Sequence, residues 1–142
     1  MGKLGISIYP EKTTEKEVTD YIDKAGEAGF SRIFSCLLSV NKSKEVILEK
    51  FKKINQYAKE KGFEIILDVN PKVFNDLGIS YDDLSFFKEM NADGIRLDIG
   101  FTGLQESIMT FNKENLKIEI NMSNNTHYID TIMDYRPNRD NL

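Results

Sequence analysis

A unit of roughly thirty residues recurs along this chain and restricts the fold more than any other feature of the sequence. Each time, an amphipathic stretch ends in a small turn, and a β-branched apolar run follows that closes on a polar residue. The runs are Leu4–Tyr9, Arg32–Leu38, Glu64–Val69, Gly94–Ile99 and Lys117–Asn121. Strands that alternate with helices build parallel α/β sheets. In such sheets chemistry gathers where the strands end.

The helical stretches carry their own boundary signals. Thr14 can cap a first helix while Glu17 reaches back, and Val18, Tyr21, Ile22, Ala25 and Ala28 form its apolar stripe. Ser43 can cap a second, with Val46, Ile47, Phe51, Ile54, Tyr57 and Ala58 as the stripe. Gly29-Phe30 and Gly62-Phe63 close these two units in the same way. A short turn over Lys72–Leu77, a helix from about Ser80, another over about Gly103–Met109 and a last one over about Tyr128–Tyr135 complete the pattern.

Right-handed βα units in a row either coil into a barrel or open into a doubly wound sheet. Polar residues at every strand exit favour the barrel, and no Gly-rich dinucleotide fingerprint follows the first strand. A complete (β/α)₈ barrel takes eight strands and about 250 residues. The expected fold is therefore α/β, a TIM-type barrel represented only by its first five βα units with parallel strands, and residues 1–142 are one N-terminal portion of it. Ile6, Ile33, Leu67 and Leu97 are expected to face the barrel interior, and the outer strands to leave unpaired edges open to self-association.

Composition narrows the partners. A net charge of −4 and a pI near 5.1 supply no basic field for nucleic acid or acidic membranes. No run reaches the length of a transmembrane helix or a signal-peptide core. Cys36 is the only cysteine, which fits a reducing cytoplasm.

The strand exits carry the chemistry. Asp68, Asp98 and Glu119 stand at three successive exits and are expected to surround one pocket. Asp68 with Asn70, and Glu119 with Asn121, are two apart and share a face in extended chain. Carboxylates with amide neighbours suit glycoside hydrolysis, where one acid protonates the leaving oxygen and another stabilises or attacks the oxocarbenium-like centre. Like charges placed together also favour a protonated acid. Asp and Asn at strand ends commonly cap helices or hold turns too, and Arg32 and Arg96 offer each carboxylate an ion-pair partner. Tyr9 and Phe101 can stack on a sugar ring, and Ser35 and Arg96 complete the polar rim. His127 is the only histidine, too few for a metal-dependent barrel hydrolase; it reads as a loop residue, and a Cys36–His127 nucleophilic pair is the weaker alternative.

At these residues the chain resembles a family. Leu4-Gly5-Ile6-Ser7-Ile8-Tyr9-Pro10-Glu11, Arg32-Ile33-Phe34-Ser35-Cys36-Leu37-Leu38-Ser39 and Gly78-Ile79-Ser80-Tyr81-Asp82-Asp83-Leu84 are similar to 6-phospho-N-acetylmuramidases. So are Ala92-Asp93-Gly94-Ile95-Arg96-Leu97-Asp98-Ile99-Gly100-Phe101-Thr102-Gly103 and Ile118-Glu119-Ile120-Asn121-Met122-Ser123-Asn124. The resemblance implies a cytoplasmic glycosidase of bacterial cell-wall recycling that needs no metal or organic cofactor. Its substrate would be a 6-phosphorylated N-acetylmuramyl-β-1,4-N-acetylglucosamine disaccharide. It also implies an N-terminal barrel followed by a small β-rich domain, so the match stops in mid-barrel. Carried onto this sequence, Asp68, Asp98 and Glu119 become acid or nucleophile candidates, and Asn70, Asn121 and Asn124 substrate-orienting amides. The isolated chain is then expected to be weakly active or inactive. Its alternatives are a sugar-phosphate binding module, a remnant that closes a barrel with another chain, or a barrel enzyme for an unphosphorylated sugar.

Overall fold

A computed structural model of the chain describes residues 4–121. The elements run β1 (Gly5–Ile8), α1 (Glu15–Glu27), β2 (Arg32–Leu37), α2 (Lys44–Glu60) and β3 (Glu64–Val69). They continue with α3 (Pro71–Leu77), α4 (Ser85–Glu89), β4 (Gly94–Leu97), α5 (Gly103–Thr110) and β5 (Lys117–Ile120). The strands form one sheet in the order β1-β2-β3-β4-β5, and every pairing is parallel.

Local chemistry explains the boundaries. Thr14 and Glu17 form the capping box of α1, and Ser43 caps α2 through the Val46 amide. Gly29 and Gly62 both adopt φ +93°, the left-handed turn that stops each helix and aims the chain into the next strand. The segment expected as a turn after Asn70 is the helix α3, with Pro71 at its start and Gly78 at its end. The helix expected from Ser80 begins at Ser85 instead. Asp83 accepts hydrogen bonds from the Ser85 amide and hydroxyl, and Asp82 accepts one from Ser80, so these acids hold the preceding turn.

One face of the sheet is covered by all the long helices. Ile6, Ile8, Ile33 and Ile65 pack with Val18, Ile22, Ala25, Ile54 and Ala58. Leu37, Leu67, Val69, Ile95 and Leu97 pack with Ile47, Phe51, Val73, Phe87 and Met109. Ile6, Ile33, Leu67 and Leu97, expected to line the barrel interior, therefore face the helices. Their neighbours in each strand point the other way. Three stripe residues also differ from expectation, since Ala28 is exposed and Tyr21 and Val46 remain 48% and 50% exposed.

Sequential strand order with the helices on a single face is a singly wound arrangement. A doubly wound sheet would reverse its order and carry helices on both faces. The fold is thus the front of a TIM-like barrel, opened out, and the face that carries none of the described helices is its interior. Among the described residues, β1 and β5 are the edges of the sheet. No helix among them is long and apolar enough to cross a membrane.

Candidate active site

Strand alternation gives the interior face its residues. Register places Arg32 beside Glu64, and Cys36, Asp68, Arg96 and Glu119 side by side across β2 to β5. Phe34, Ile66, Gly94 and Lys117 form the row beneath. Just past the strands, Asp98 donates its amide to Val69 O (2.9 Å) and Asn121 its amide to Leu97 O (2.8 Å). These bonds extend the ladder by one step and bring Asp98 and Asn121 onto the same face. Asp68, Asp98 and Glu119 thus share one surface of the sheet near its C-terminal end.

Their environments differ. Asp68 is 7% exposed. Its Oδ2 accepts a bond from Arg96 Nη2 at 2.8 Å and lies 4.0 Å from Cys36 Sγ. Its Oδ1 is buried with no hydrogen-bond partner among the described residues. Glu119 pairs with Arg32, whose Nε also lies 3.1 Å from Glu64 Oε1. Lys117 reaches the other oxygen of Glu64 at 2.7 Å. Asp98 is held by a neutral group, the Asn121 amide, at 2.7 Å. Burial pushes the Asp98 carboxyl above its ordinary range, and the nearby Asp68 charge adds to this. The Asn121 bond and Arg96 oppose the shift without cancelling it.

Both arginines lie over one phenyl ring. Arg96 Cζ sits 3.9 Å and Arg32 Cζ 5.2 Å from the centroid of Phe34. Nothing in the sequence reading singled out Phe34, and it offered Arg32 only as an ion-pair partner for a strand-exit carboxylate, which it is for Glu119. The signal was there, because Arg32, Phe34 and Cys36 alternate in the same phase as Glu64, Ile66 and Asp68.

Other candidates scatter. Asn121 is buried at the rim beside Asp98. Tyr9, 43% exposed, follows β1 in the phase of Ser7, and both side chains interact with the Cys36 thiol. Ser35 is not brought to the site: it shares the helix-covered face with Ile33 and Leu37 and is fully buried. Asn70 caps α3, accepting the Val73 amide at 3.0 Å and donating to Leu38 O at 3.0 Å. Phe101 packs edge-on against Phe74 and Tyr81. Asn124, His127 and the expected helix over 128–135 lie outside the described residues. Burial and the Asp68 charge push the Cys36 thiol up to about 11, a poor setting for a nucleophile. Among the described residues no three His, Cys, Asp or Glu side chains converge to hold a metal ion.

Many solved structures are similar, and three of them serve as examples. One, described as an uncharacterized B. cereus protein, is 49% identical over 94% of this chain and 34% of its own, with a TM-score of 0.68. A conserved Enterococcus faecalis protein of unknown function is 24% identical over 86% of this chain and 32% of its own, with a TM-score of 0.65. Thiamine phosphate pyrophosphorylase from Pyrococcus furiosus, at 20% identity, 83% and 48% coverage and a TM-score of 0.52, shares the fold alone. The chain spans about a third of the length of the first two. A comparison with curated proteins returned no match. The family profile described as 6-phospho-N-acetylmuramidase, N-terminal, matches residues 4–142, so the chain belongs to the 6-phospho-N-acetylmuramidase family through that N-terminal region.

Proposed function

We propose that this region supplies the front strands and acidic rim of a glycosidase acting on 6-phospho-N-acetylmuramyl-β-1,4-N-acetylglucosamine in peptidoglycan recycling. The observation that carries the reading is the shared face of Asp68, Asp98 and Glu119, on which only Asp98 rests on a neutral partner. Asp98 is the general acid: burial favours its protonated form, and protonation of the bridging oxygen lets the leaving sugar depart neutral. Asp68 and Glu119, each against a guanidinium, are acceptors that face the developing positive charge or the attacking water. Asn121 orients the acid, and Arg96 and Tyr9 contribute substrate contacts. Water completes the reaction, releasing the 6-phosphomuramic sugar and N-acetylglucosamine.

The proposed reaction is a cytoplasmic one, and a charged phosphate ester formed there would not leave across the membrane unaided. The test is chromatography of products from the phosphorylated and unphosphorylated disaccharides. The longest natural polypeptide that contains this region should cleave the first at least about tenfold faster, since the phosphate is a second anchoring charge. Equal rates would assign an unphosphorylated sugar, and no cleavage of either would remove the glycosidase reading. The 142-residue chain alone should be far slower, because it spans a third of its relatives; full turnover by it would refute that.

A second reading rests on the β5 edge, unpaired among the described residues, and its apolar surroundings. Ile120 is 44% exposed and, on α5, Leu104 is 72% exposed. Two partial barrels can satisfy each other's edges in a binding module without catalysis. Gel filtration separates the readings, since a discrete dimer of the chain supports assembly and a monomer opposes it.

A further inference from the structure

We propose that Phe34 is a positioning residue, a phenyl ring that orients Asp68 and Glu119 through the two guanidiniums that lie over it. This rests on the reading of those carboxylates as substrate-facing. Phe34 lies one row beneath Asp68 and Arg96 on the interior face, and room for its ring comes from β1. A Cβ built on Gly5 would stand 2.9 Å from Phe34 Cε2, so any side chain there displaces the ring.

Arg96 has little else to fix its plane. Its Nη2 meets Asp68 Oδ2 at 2.8 Å, while its Nε is buried with no hydrogen-bond partner among the described residues. One hydrogen bond leaves a guanidinium free to pivot about that bond. A ring 3.9 Å from its centre removes the freedom, because a delocalised cation gains most lying flat over the π-face. Arg32 lies over the same ring at 5.2 Å and spans from β2 to Glu119 on β5. Two cations on one ring repel each other, and the carboxylates of Asp68, Glu64 and Glu119 offset this from their outer sides. The order of contacts is thus ring, guanidinium, carboxylate, so Phe34 acts on the site without touching substrate.

The test replaces Phe34 with a ring-trifluorinated phenylalanine, which keeps the shape and withdraws the electron density that attracts the cations. In ¹⁵N spectra of the full 142-residue chain, rotation about the Arg96 Nε–Cζ bond should quicken about tenfold, with the backbone spectrum unchanged. Phe34→Tyr should retain the slow rotation, and Phe34→Met, which fills the space without a π-face, should lose it. Unchanged Arg96 rotation in the fluorinated or Met variant overturns the proposal. In the longer polypeptide that hydrolyses the disaccharide, the fluorinated variant should lower kcat about tenfold or more with KM within about twofold, as misplacement of reacting groups does. Unchanged kcat also overturns it. Quickened Arg96 rotation in a protein whose unsubstituted form cleaves nothing supports the hold of Phe34 on Arg96 and refutes only the glycosidase reading.

Discussion

Replacing Arg96 with Met isolates the charge of the buried pair, because the thioether chain keeps apolar contact with Phe34. Asp68 is left as a carboxylate whose side chain is 9% exposed and whose second oxygen already lacks a partner. Breaking a fully buried ion pair from one side costs about 3–5 kcal/mol. The Arg96 side chain is 23% exposed, so water reaches the vacated place and the cost here should be about 2–3 kcal/mol. For a domain of this size that lowers Tm by about 10 °C. Replacing both partners, Arg96→Met with Asp68→Leu, removes the stranded charge and should return stability to within about 1 kcal/mol of the parent. Urea denaturation of the parent and variants at neutral pH is the assay. A single-variant deficit below about 0.5 kcal/mol, or a double variant no more stable than the single one, would refute the reasoning.

Four further predictions follow from the same face. Asp98→Asn and Glu119→Gln should each lower disaccharide turnover by about 10² or more, measured by product chromatography, and near-normal rates would remove that residue from the mechanism. Asp98→Asn should also raise the urea midpoint at neutral pH: a carboxyl raised on folding costs stability above its folded pKa, and the gain should vanish below the unfolded value. Cys36, with its thiol pushed up to about 11, should resist iodoacetamide at pH 8, where only about one thiol in a thousand is ionised, and label once urea unfolds the chain. Gly94→Ala should destabilise by about 1–3 kcal/mol in the same denaturation assay, because the new Cβ would stand 2.8 Å from Lys117 O and force β4 and β5 apart.

The elements legible in the sequence were those set by local chemistry. Glu64–Val69 is a strand over the expected range, and Thr14, Ser43, Gly29 and Gly62 punctuate the chain as their side chains or their freedom at positive φ require. The facing of the strands was not legible. A barrel strand carries apolar residues on both sides, so Ile65, Ile66 and Leu67 offer no alternation from which to choose. That ambiguity reversed the expected side for Ile6, Ile33, Leu67 and Leu97. Ser35 and Asn70 look like rim residues in a list of exits, but one faces the helices and the other is used by the α3 amides. The three carboxylates could be gathered from their repeated place in the unit. Their division into two ion-paired groups and one neutral-partnered group could not, because it depends on contacts such as Arg32 with Glu119, 87 residues apart.

That contact has a consequence for how the barrel is built. Arg32 enters at the start of β2 and Glu119 near the end of β5, so their bond acts as a chord drawn across the sheet. A chord shorter than the arc it subtends fixes curvature. The bend is therefore written into the front strands themselves, and any strand that paired with β5 would meet an edge already curved.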